Sequence, residues 1–192
     1  MNKNNYPLLF VDIETTHLAS TTGEIIEIAI IRENFDGHIE IFHSKIKPSH
    51  IHTASKRALE INHYNPIEWK DAPTWQEIAP VIAKWLNWGT IVAHNVAFDW
   101  NYIDHHVRLA KIDQKISWRK IDTQSLAWEH LPMTSASMDN IRKFFGISQD
   151  QSHTALKDAH DCRFVYHKLI RSSVFSRIVW KIKFHIKSFL KR

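Results

Sequence analysis

The sequence predicts an α/β fold in which helices flank a mixed β-sheet. The first observation is a series of three strand-like runs of apolar or alternating residues, over Leu8–Ile13, Glu24–Arg32 and His38–Ile46. Gly37 supplies a turn between the last two runs, so the three strands form a meander. The second observation is that helical patterns and short strands alternate in the remainder of the chain. Together these patterns predict a sheet that mixes antiparallel and parallel strands.

The later elements follow from apolar spacing and from helix end signals. Thr74 is a suitable N-cap for one helix, and Gly146 is a suitable stop signal for another. The predicted helices cover His52–Asn62, Trp75–Leu86, Phe98–Leu109, Met138–Phe145 and Ala155–Leu169, and the predicted strands cover Thr90–Ala93 and Ile116–Thr123.

Composition predicts one compact domain with a basic extension. The chain has 192 residues, enough to bury a substantial core. Its single cysteine, Cys162, excludes an intramolecular disulfide framework and predicts a reducing compartment, the cytoplasm. No apolar run approaches the roughly 18 residues of a membrane span. Seven of the 25 Lys and Arg residues lie in Arg171–Arg192, which has no acidic residue. We therefore expect a domain over residues 1–170 and a basic, amphipathic extension over 171–192.

Two acidic residues occur inside the first predicted strand, in the stretch LLFVDIETTH. Residues two apart in a strand project to the same side, so Asp12 and Glu14 lie next to each other. Adjacent carboxylates repel unless a cation lies between them, and oxygen ligands of this kind favour Mg²⁺ or Mn²⁺. The alternative is an exposed strand end, or pairing with lysines.

A second polar group follows the predicted strand Thr90–Ala93, in the stretch TIVAHNVAFDWNYI. His94 and Asn95 end the strand, and Asp99 lies in the first turn of the next helix. Polar residues at the carboxyl ends of strands line the crevice where α/β sheets bind ligands. The alternative is an acidic residue stabilised by the helix dipole, which explains Asp99 but not the preceding pair.

A third group occurs in the stretch SHTALKDAHDC. His153 precedes the last predicted helix, where it can reach a water molecule, and Asp158 lies about one turn into that helix. Each residue alone is also compatible with a structural role, since the chain has 14 histidines. We interpret His160 and Asp161 as bystanders.

In this order, the segments FVDIETT, HNVAFDWNYI and HTALKD resemble the three signature motifs of the DEDDh group of 3′–5′ exonucleases. This is the DnaQ-like family of the ribonuclease H-like fold, which includes the exonuclease domain of the DNA polymerase III epsilon subunit, ribonuclease T and oligoribonuclease. The resemblance extends from Leu8 to Leu169, and it includes the segments ALEINHYNP and KIDTQSLA.

The resemblance implies a role for each signature residue. Asp12, Glu14 and Asp158 would hold two divalent ions, Mg²⁺ or Mn²⁺, and Asp99 would complete the site directly or through water. Two such ions can stabilise both the attacking and the leaving oxygen of a phosphoryl displacement. His153 would be the general base, since an imidazole can accept a proton at neutral pH.

The resemblance also suggests residues that contact the substrate. These are Thr15, Thr16, His17, Asn62, His94, Asn95 and Phe98. The chain departs from the family at two usual glycine positions, which are occupied by His17 and His63. A glycine there allows close approach of the backbone to a nucleotide, so the two histidines affect the expected shape of the nucleotide pocket.

The resulting expectation is a metal-dependent 3′–5′ exonuclease that releases nucleoside 5′-monophosphates from the 3′ end of single-stranded nucleic acid. DNA is the favoured substrate, and an exoribonuclease of the ribonuclease T or oligoribonuclease kind is the alternative. A non-catalytic nucleic-acid-binding module on the same fold is the alternative from another class. It is disfavoured because a decayed member is expected to lose a carboxylate or the histidine.

The segment Ser173–Arg192 lies beyond the resemblance. A helix is preferred for it, and the alternative is a strand, because apolar and basic residues alternate over Trp180–Lys187. In a helix, its apolar residues, including Phe175, Ile178 and Ile182, would share one side, with Trp180 among the lysines. We expect that side to pack on the domain or to dock on a polymerase or another protein. For the basic face, nucleic acid is favoured over an anionic membrane surface.

Overall fold

The computed structural model describes residues 6–173, 175–180 and 182. A five-stranded sheet forms its centre, with the strand order β3-β2-β1-β4-β5. The strands are β1 (Leu8–Thr15), β2 (Ile25–Glu33), β3 (Ile39–Lys45), β4 (Thr90–Ala93) and β5 (Lys120–Asp122). The first three strands form an antiparallel meander, whereas β4 is parallel to β1 and β5 is parallel to β4. The predicted mixed sheet is therefore confirmed.

Six α-helices surround this sheet within residues 6–173. They are α1 (Lys56–Ile61), α2 (Trp75–Leu86), α3 (Val96–Leu109), α4 (Thr123–His130), α5 (Met138–Phe145) and α6 (Ala155–Ile170), with a short 3₁₀ helix over Ile51–Thr53 before α1. The Thr74 and Glu77 side chains form a capping box at the start of α2, and Gly146 ends α5 in the left-handed conformation.

The two faces of β1 pack against different partners. Leu9, Val11 and Ile13 lie in an apolar cluster with residues of α2 and α3, such as Ile82 and Ile103. On the other face, Leu8 and Phe10 pack against Ala159 and Cys162 of α6. Because side chains alternate along a strand, Asp12 and Glu14 continue this second face toward the start of α6.

Two predicted elements differ from the structure. Only Lys120–Asp122 of the predicted strand Ile116–Thr123 is a strand, and Thr123 begins a helix that was not predicted. The cause is Asp122, whose carboxylate accepts a hydrogen bond from the backbone of Gln124 and caps the new helix. The helix predicted over His52–Asn62 is shorter, because Ser55 caps its first turn.

The C-terminal segment is helical over residues 175–180. Trp180 packs against Phe144 and Phe145 of α5, with ring centroids 6.2 and 5.6 Å apart. Phe175, Ile178 and Ile182, which the sequence placed on the packed side, are exposed. The expectation that this apolar side packs on the domain is therefore wrong for these three residues. The prediction for residues 183–192 lies outside the described residues. Within the described part of the chain, no helix is long and apolar enough to cross a membrane.

Candidate active site

Three carboxylates meet where β1 ends and α6 begins. Asp12 and Glu14 come from β1, and Asp158 comes from the first turn of α6. One carboxylate oxygen of each residue lies within 4.8 Å of the others. The packing of α6 across β1 brings these groups together, although Asp158 is far from the other two in sequence.

Asp99 is buried in the first turn of α3, close enough to influence this cluster. Burial raises the pKa of Asp12 well above its usual range, and the charges of Asp99 and Asp158 raise it further. Burial likewise raises the pKa values of Glu14 and Asp99, each to about 8. Four acidic side chains of this kind cannot all be ionised at neutral pH unless a cation compensates them.

A buried arginine supplies part of that compensation. The guanidinium of Arg142 is fully buried and donates hydrogen bonds to Asp161 at 2.7 Å, to Asp139 at 3.0 Å and to Asp158. Asp161 also pairs with Lys157, at 2.6 Å between Nζ and Oδ1. The interpretation of Asp161 as a bystander is therefore wrong, because it holds the arginine that contacts Asp158.

A cavity of about 790 Å³ opens beside the carboxylates. Its lining includes Glu14, His153 and four of the residues proposed to contact substrate, namely Thr15, His17, Asn62 and Phe98. His153 lies in the loop before α6 and has a left-handed backbone, with φ of 64°. The cavity thus brings the predicted base, one predicted metal ligand and a nucleotide-sized space together.

The walls of the cavity are fixed by buried hydrogen bonds. The side-chain amide of Asn62 donates to the carbonyl of Thr15 at 2.9 Å. The hydroxyl of Tyr102 donates to the carbonyl of His17 at 2.7 Å. A side chain at Gly23 would place its Cβ 1.9 Å from that hydroxyl, so glycine is required there. Tyr102 and Gly23 shape the site, yet sequence patterns alone gave no reason to choose them.

Three predicted substrate contacts do not line the cavity. Thr16 is buried, and its hydroxyl accepts a hydrogen bond from the backbone of Glu24 at 2.9 Å. Asn95 has φ of 70°, and its backbone N–H donates to Asp122 at 2.9 Å. The hydroxyl of Thr16 and the left-handed backbone of Asn95 thus belong to the turns on either side of the site.

His94 has a structural environment. Its Nε2 donates to the carbonyl of Ala136 at 2.9 Å, and its Nδ1 lies 3.1 Å from the hydroxyl of Thr123. Burial lowers the pKa of this imidazole, which favours the neutral form. Both ring nitrogens of His94 therefore have protein partners, and its assignment as a substrate contact stays a prediction.

The two histidines at usual glycine positions differ in backbone conformation. His63 has φ of 51°, which is the left-handed conformation that a glycine adopts without strain. His17 does not have a positive φ and contributes its side chain to the cavity. Histidine in place of glycine at position 17 therefore changes the pocket surface, whereas histidine in place of glycine at position 63 adds backbone strain.

Glu27 of β2 is a further acidic residue that the sequence analysis missed. It lies directly opposite Glu14 in the antiparallel ladder and is buried. Nε2 of His43 lies 2.7 Å from its carboxylate. The signal that could have found this position is a single acidic residue inside the apolar run of β2, whereas its pairing with a histidine of β3 is not visible in the sequence.

The sheet order β3-β2-β1-β4-β5, with helices packed against it, is that of the ribonuclease H-like fold. The chain belongs to the RNase T exonuclease family, whose sequence model matches residues 9–165. This confirms the resemblance found in the sequence.

Similar proteins include a DNA polymerase and a polymerase subunit. The chain is 29% identical to the PolC-type DNA polymerase III of Thermotoga petrophila over 181 residues, which are 93% of this chain but only 12% of that protein. It is 26% identical to the epsilon subunit of DNA polymerase III of Treponema pallidum over 162 residues, with coverage of 83% and 74%.

Similar solved structures show the same fold. Exonuclease I of E. coli in complex with a dA16 oligonucleotide matches with a TM-score of 0.71 at 18% identity, covering 85% of this chain and 40% of that one. Cell-death related nuclease 4 matches with a TM-score of 0.69 at 17% identity, covering 85% of this chain and 63% of that one.

Proposed function

We propose that this protein is a metal-dependent 3′–5′ exonuclease that releases nucleoside 5′-monophosphates from single-stranded nucleic acid. The observation that carries the proposal is the meeting of Asp12, Glu14 and Asp158 within 4.8 Å, beside a cavity that His153 also lines. A phosphodiester hydrolase needs charge stabilisation and a proton acceptor on the same side of a substrate pocket. Family membership supports the same reaction.

The carboxylates fit divalent ions. We propose that Asp12, Glu14 and Asp158 hold two ions, Mg²⁺ or Mn²⁺, and that Asp99 completes the site directly or through water. The donors are carboxylate oxygens, which these ions prefer, and their raised pKa values indicate that a cation is needed for full ionisation. When bound, the ions supply stabilisation of the negative charge on the reacting phosphate.

His153 is the proposed general base. It lines the cavity together with Glu14, and its imidazole accepts the proton of the attacking water. It lies in the left-handed turn that precedes α6, close enough for its charge to influence Asp158.

The 3′-terminal nucleotide occupies the cavity in this proposal. Phe98 offers an aromatic face for the base, and the backbone around Thr15 and His17 borders the sugar. Asn62 holds the Thr15 carbonyl and thereby the shape of this wall. Single-stranded DNA is the favoured substrate, supported by the oligonucleotide in the related exonuclease I structure. An exoribonuclease is the second candidate.

The polarity of attack distinguishes this function from other nucleases. We expect release of mononucleotides from a labelled single strand with a free 3′ hydroxyl in Mg²⁺ or Mn²⁺, and no cleavage of a circular strand. A matched RNA oligonucleotide tests the second candidate directly. The substitution Asp12→Asn serves as the inactive control. Cleavage of the circle would indicate an endonuclease, and equal rates for the control and the wild type would refute the site assignment.

The domain division and the partners are proposals of the same kind. We propose a nuclease domain over residues 1–170 and an extension over 171–192 that contacts nucleic acid or a protein such as a polymerase. The similarity to the polymerase epsilon subunit supports the second partner. Deletion of 173–192 tests the contact with nucleic acid. The expected result is a raised KM for long strands with unchanged turnover of dinucleotides.

A further inference from the structure

The buried guanidinium of Arg142 is an unusual feature next to the carboxylate cluster. Its side chain is fully buried, and each of its three nitrogens contacts a different carboxylate. Nε binds Asp161, Nη1 binds Asp139 and Nη2 binds Asp158. A guanidinium is planar and rigid, so fixing two of its nitrogens also fixes the direction of the third.

The three carboxylates differ in exposure, and this indicates which of them anchors the arginine. The side chain of Asp161 is 7% exposed and is also bound by Lys157, whereas that of Asp139 is 47% exposed. Exposed ion pairs contribute little, while a buried and doubly bound carboxylate is held firmly. Asp161 is therefore the main anchor of Arg142.

Asp158 receives its hydrogen bond from Arg142 on Oδ1. Among the described residues, Oδ2 has no hydrogen-bond partner in the protein. The same carboxylate supplies an oxygen within 4.8 Å of Asp12 and Glu14. The arginine thus occupies one oxygen and prevents free rotation of the group.

We propose that Arg142, anchored by Asp161, is a positioning residue that orients Asp158 toward the ion site. The proposal rests on the proposed function, because it assumes that Asp158 binds an ion. The alternative is that Arg142 only links α5 to α6. That role would involve the same contacts, but loss of Arg142 would then lower stability without changing metal affinity. Outer groups that orient ligands affect metal affinity, commonly by about 10–100-fold.

The test is Mn²⁺ binding measured by calorimetry, together with melting temperature, kcat and KM. We expect Arg142→Met to bind Mn²⁺ about 10–100-fold more weakly and to lower kcat more than it changes KM. Arg142→Lys keeps the positive charge but loses the planar guanidinium with its several N–H donors. Its Mn²⁺ affinity should therefore lie between those of Arg142→Met and the wild type. The matched control is Asp139→Asn, which removes the exposed partner and should bind Mn²⁺ like the wild type.

The proposal would be overturned if folded Arg142→Met binds Mn²⁺ as tightly as the wild type or more tightly. In that case, the removal of a nearby positive charge would affect Mn²⁺ affinity more than the loss of orientation of Asp158. If Arg142→Met does not fold, Asp161→Asn keeps both Arg142 and Asp158 and removes only the anchor. A weaker affinity in that variant supports the proposal, and an unchanged affinity overturns it.

The controls separate this proposal from the proposed function. If Asp12→Asn abolishes Mn²⁺ binding while Arg142→Met leaves it unchanged, the ion site stands and only the role of Arg142 is wrong. If the wild type binds no Mn²⁺, both proposals are wrong.

Discussion

The two faces of β1 differ in what holds them in place. On one face, Leu9, Val11 and Ile13 enter an apolar cluster beneath α2 and α3. The other face begins in the same way but changes to Asp12 and Glu14 after Phe10. One strand therefore carries an apolar face that is stable by itself and a face whose acidic end needs compensation.

The apolar face of β1 therefore contributes mainly to stability, whereas the acidic end of the other face contributes mainly to the proposed function. Apolar burial is favourable wherever the side chains fit, at roughly 25 cal/mol per Å². Buried carboxylates are favourable only with a cation or a proton, and here the protein supplies Arg142 from α5 as one such cation. Substitutions on the two faces should consequently have opposite effects on stability and activity.

The largest expected contrast is between Asp12→Ala and Leu9→Ala. Asp12→Ala should abolish detectable nuclease activity without lowering stability in EDTA, because it removes one of several repelling carboxylates. Leu9→Ala should lower the free energy of unfolding by about 2–5 kcal/mol while its folded molecules keep their activity. Urea unfolding and an oligonucleotide assay measure both quantities. A loss of stability in both variants would contradict the comparison.

His153→Ala should produce the next largest effect. Removal of a general base typically lowers the rate by about 10²–10⁴-fold, and this residue is not part of the apolar core. Calorimetric Mn²⁺ affinity and melting temperature should remain close to wild type, since the carboxylates are intact. Wild-type turnover in this variant would assign His153 a purely structural role.

A smaller effect is expected from pH in the absence of divalent ions. The folded pKa values of Asp12, Glu14 and Asp99 are raised, so the folded protein binds more protons than the unfolded chain between about pH 4 and pH 8. The stability contributed by these protonated groups is present below pH 4 and is lost as the pH rises through about 8. In EDTA, the melting temperature should thus fall between pH 5.5 and 8.5, by a few degrees.

Two controls isolate this pH effect. Excess Mg²⁺ should reduce the fall, because an ion replaces the protons. Asp12→Asn should also reduce it, which separates the acidic cluster from histidines whose pKa values are lowered and act in the opposite direction. An identical fall under all three conditions would show that the cluster is not its source.

Much of the fold could be predicted because its information is local. The apolar runs of the first three strands, the Thr74 cap and the Gly146 stop are read from adjacent residues. Asp12 and Glu14 were found because strand alternation fixes which side they share. The shortened strand at Ile116–Thr123 was not predicted. At its start, the backbone of Ser117 bonds to Leu86 and to the Trp100 side chain. At its end, Asp122 caps α4.

The remaining parts of the site depend on packing between distant segments. Arg142 and Asp139 are spaced like an ordinary surface pair on a helix, and only the contact of α5 with α6 buries the arginine. His94 is the first residue of the second signature segment, but Thr123 and Ala136, far along the chain, bind its ring nitrogens. Neither environment is visible in the local sequence.

The left-handed backbone at His153 sets stability against activity at a single position. A non-glycine residue in this conformation costs roughly 1–2 kcal/mol, and glycine would relieve that strain. The proposed chemistry nevertheless requires an imidazole there. A laboratory selection for heat resistance alone would therefore favour glycine at this position and discard the proposed base, whereas a selection that includes nucleic-acid turnover would retain the strained histidine.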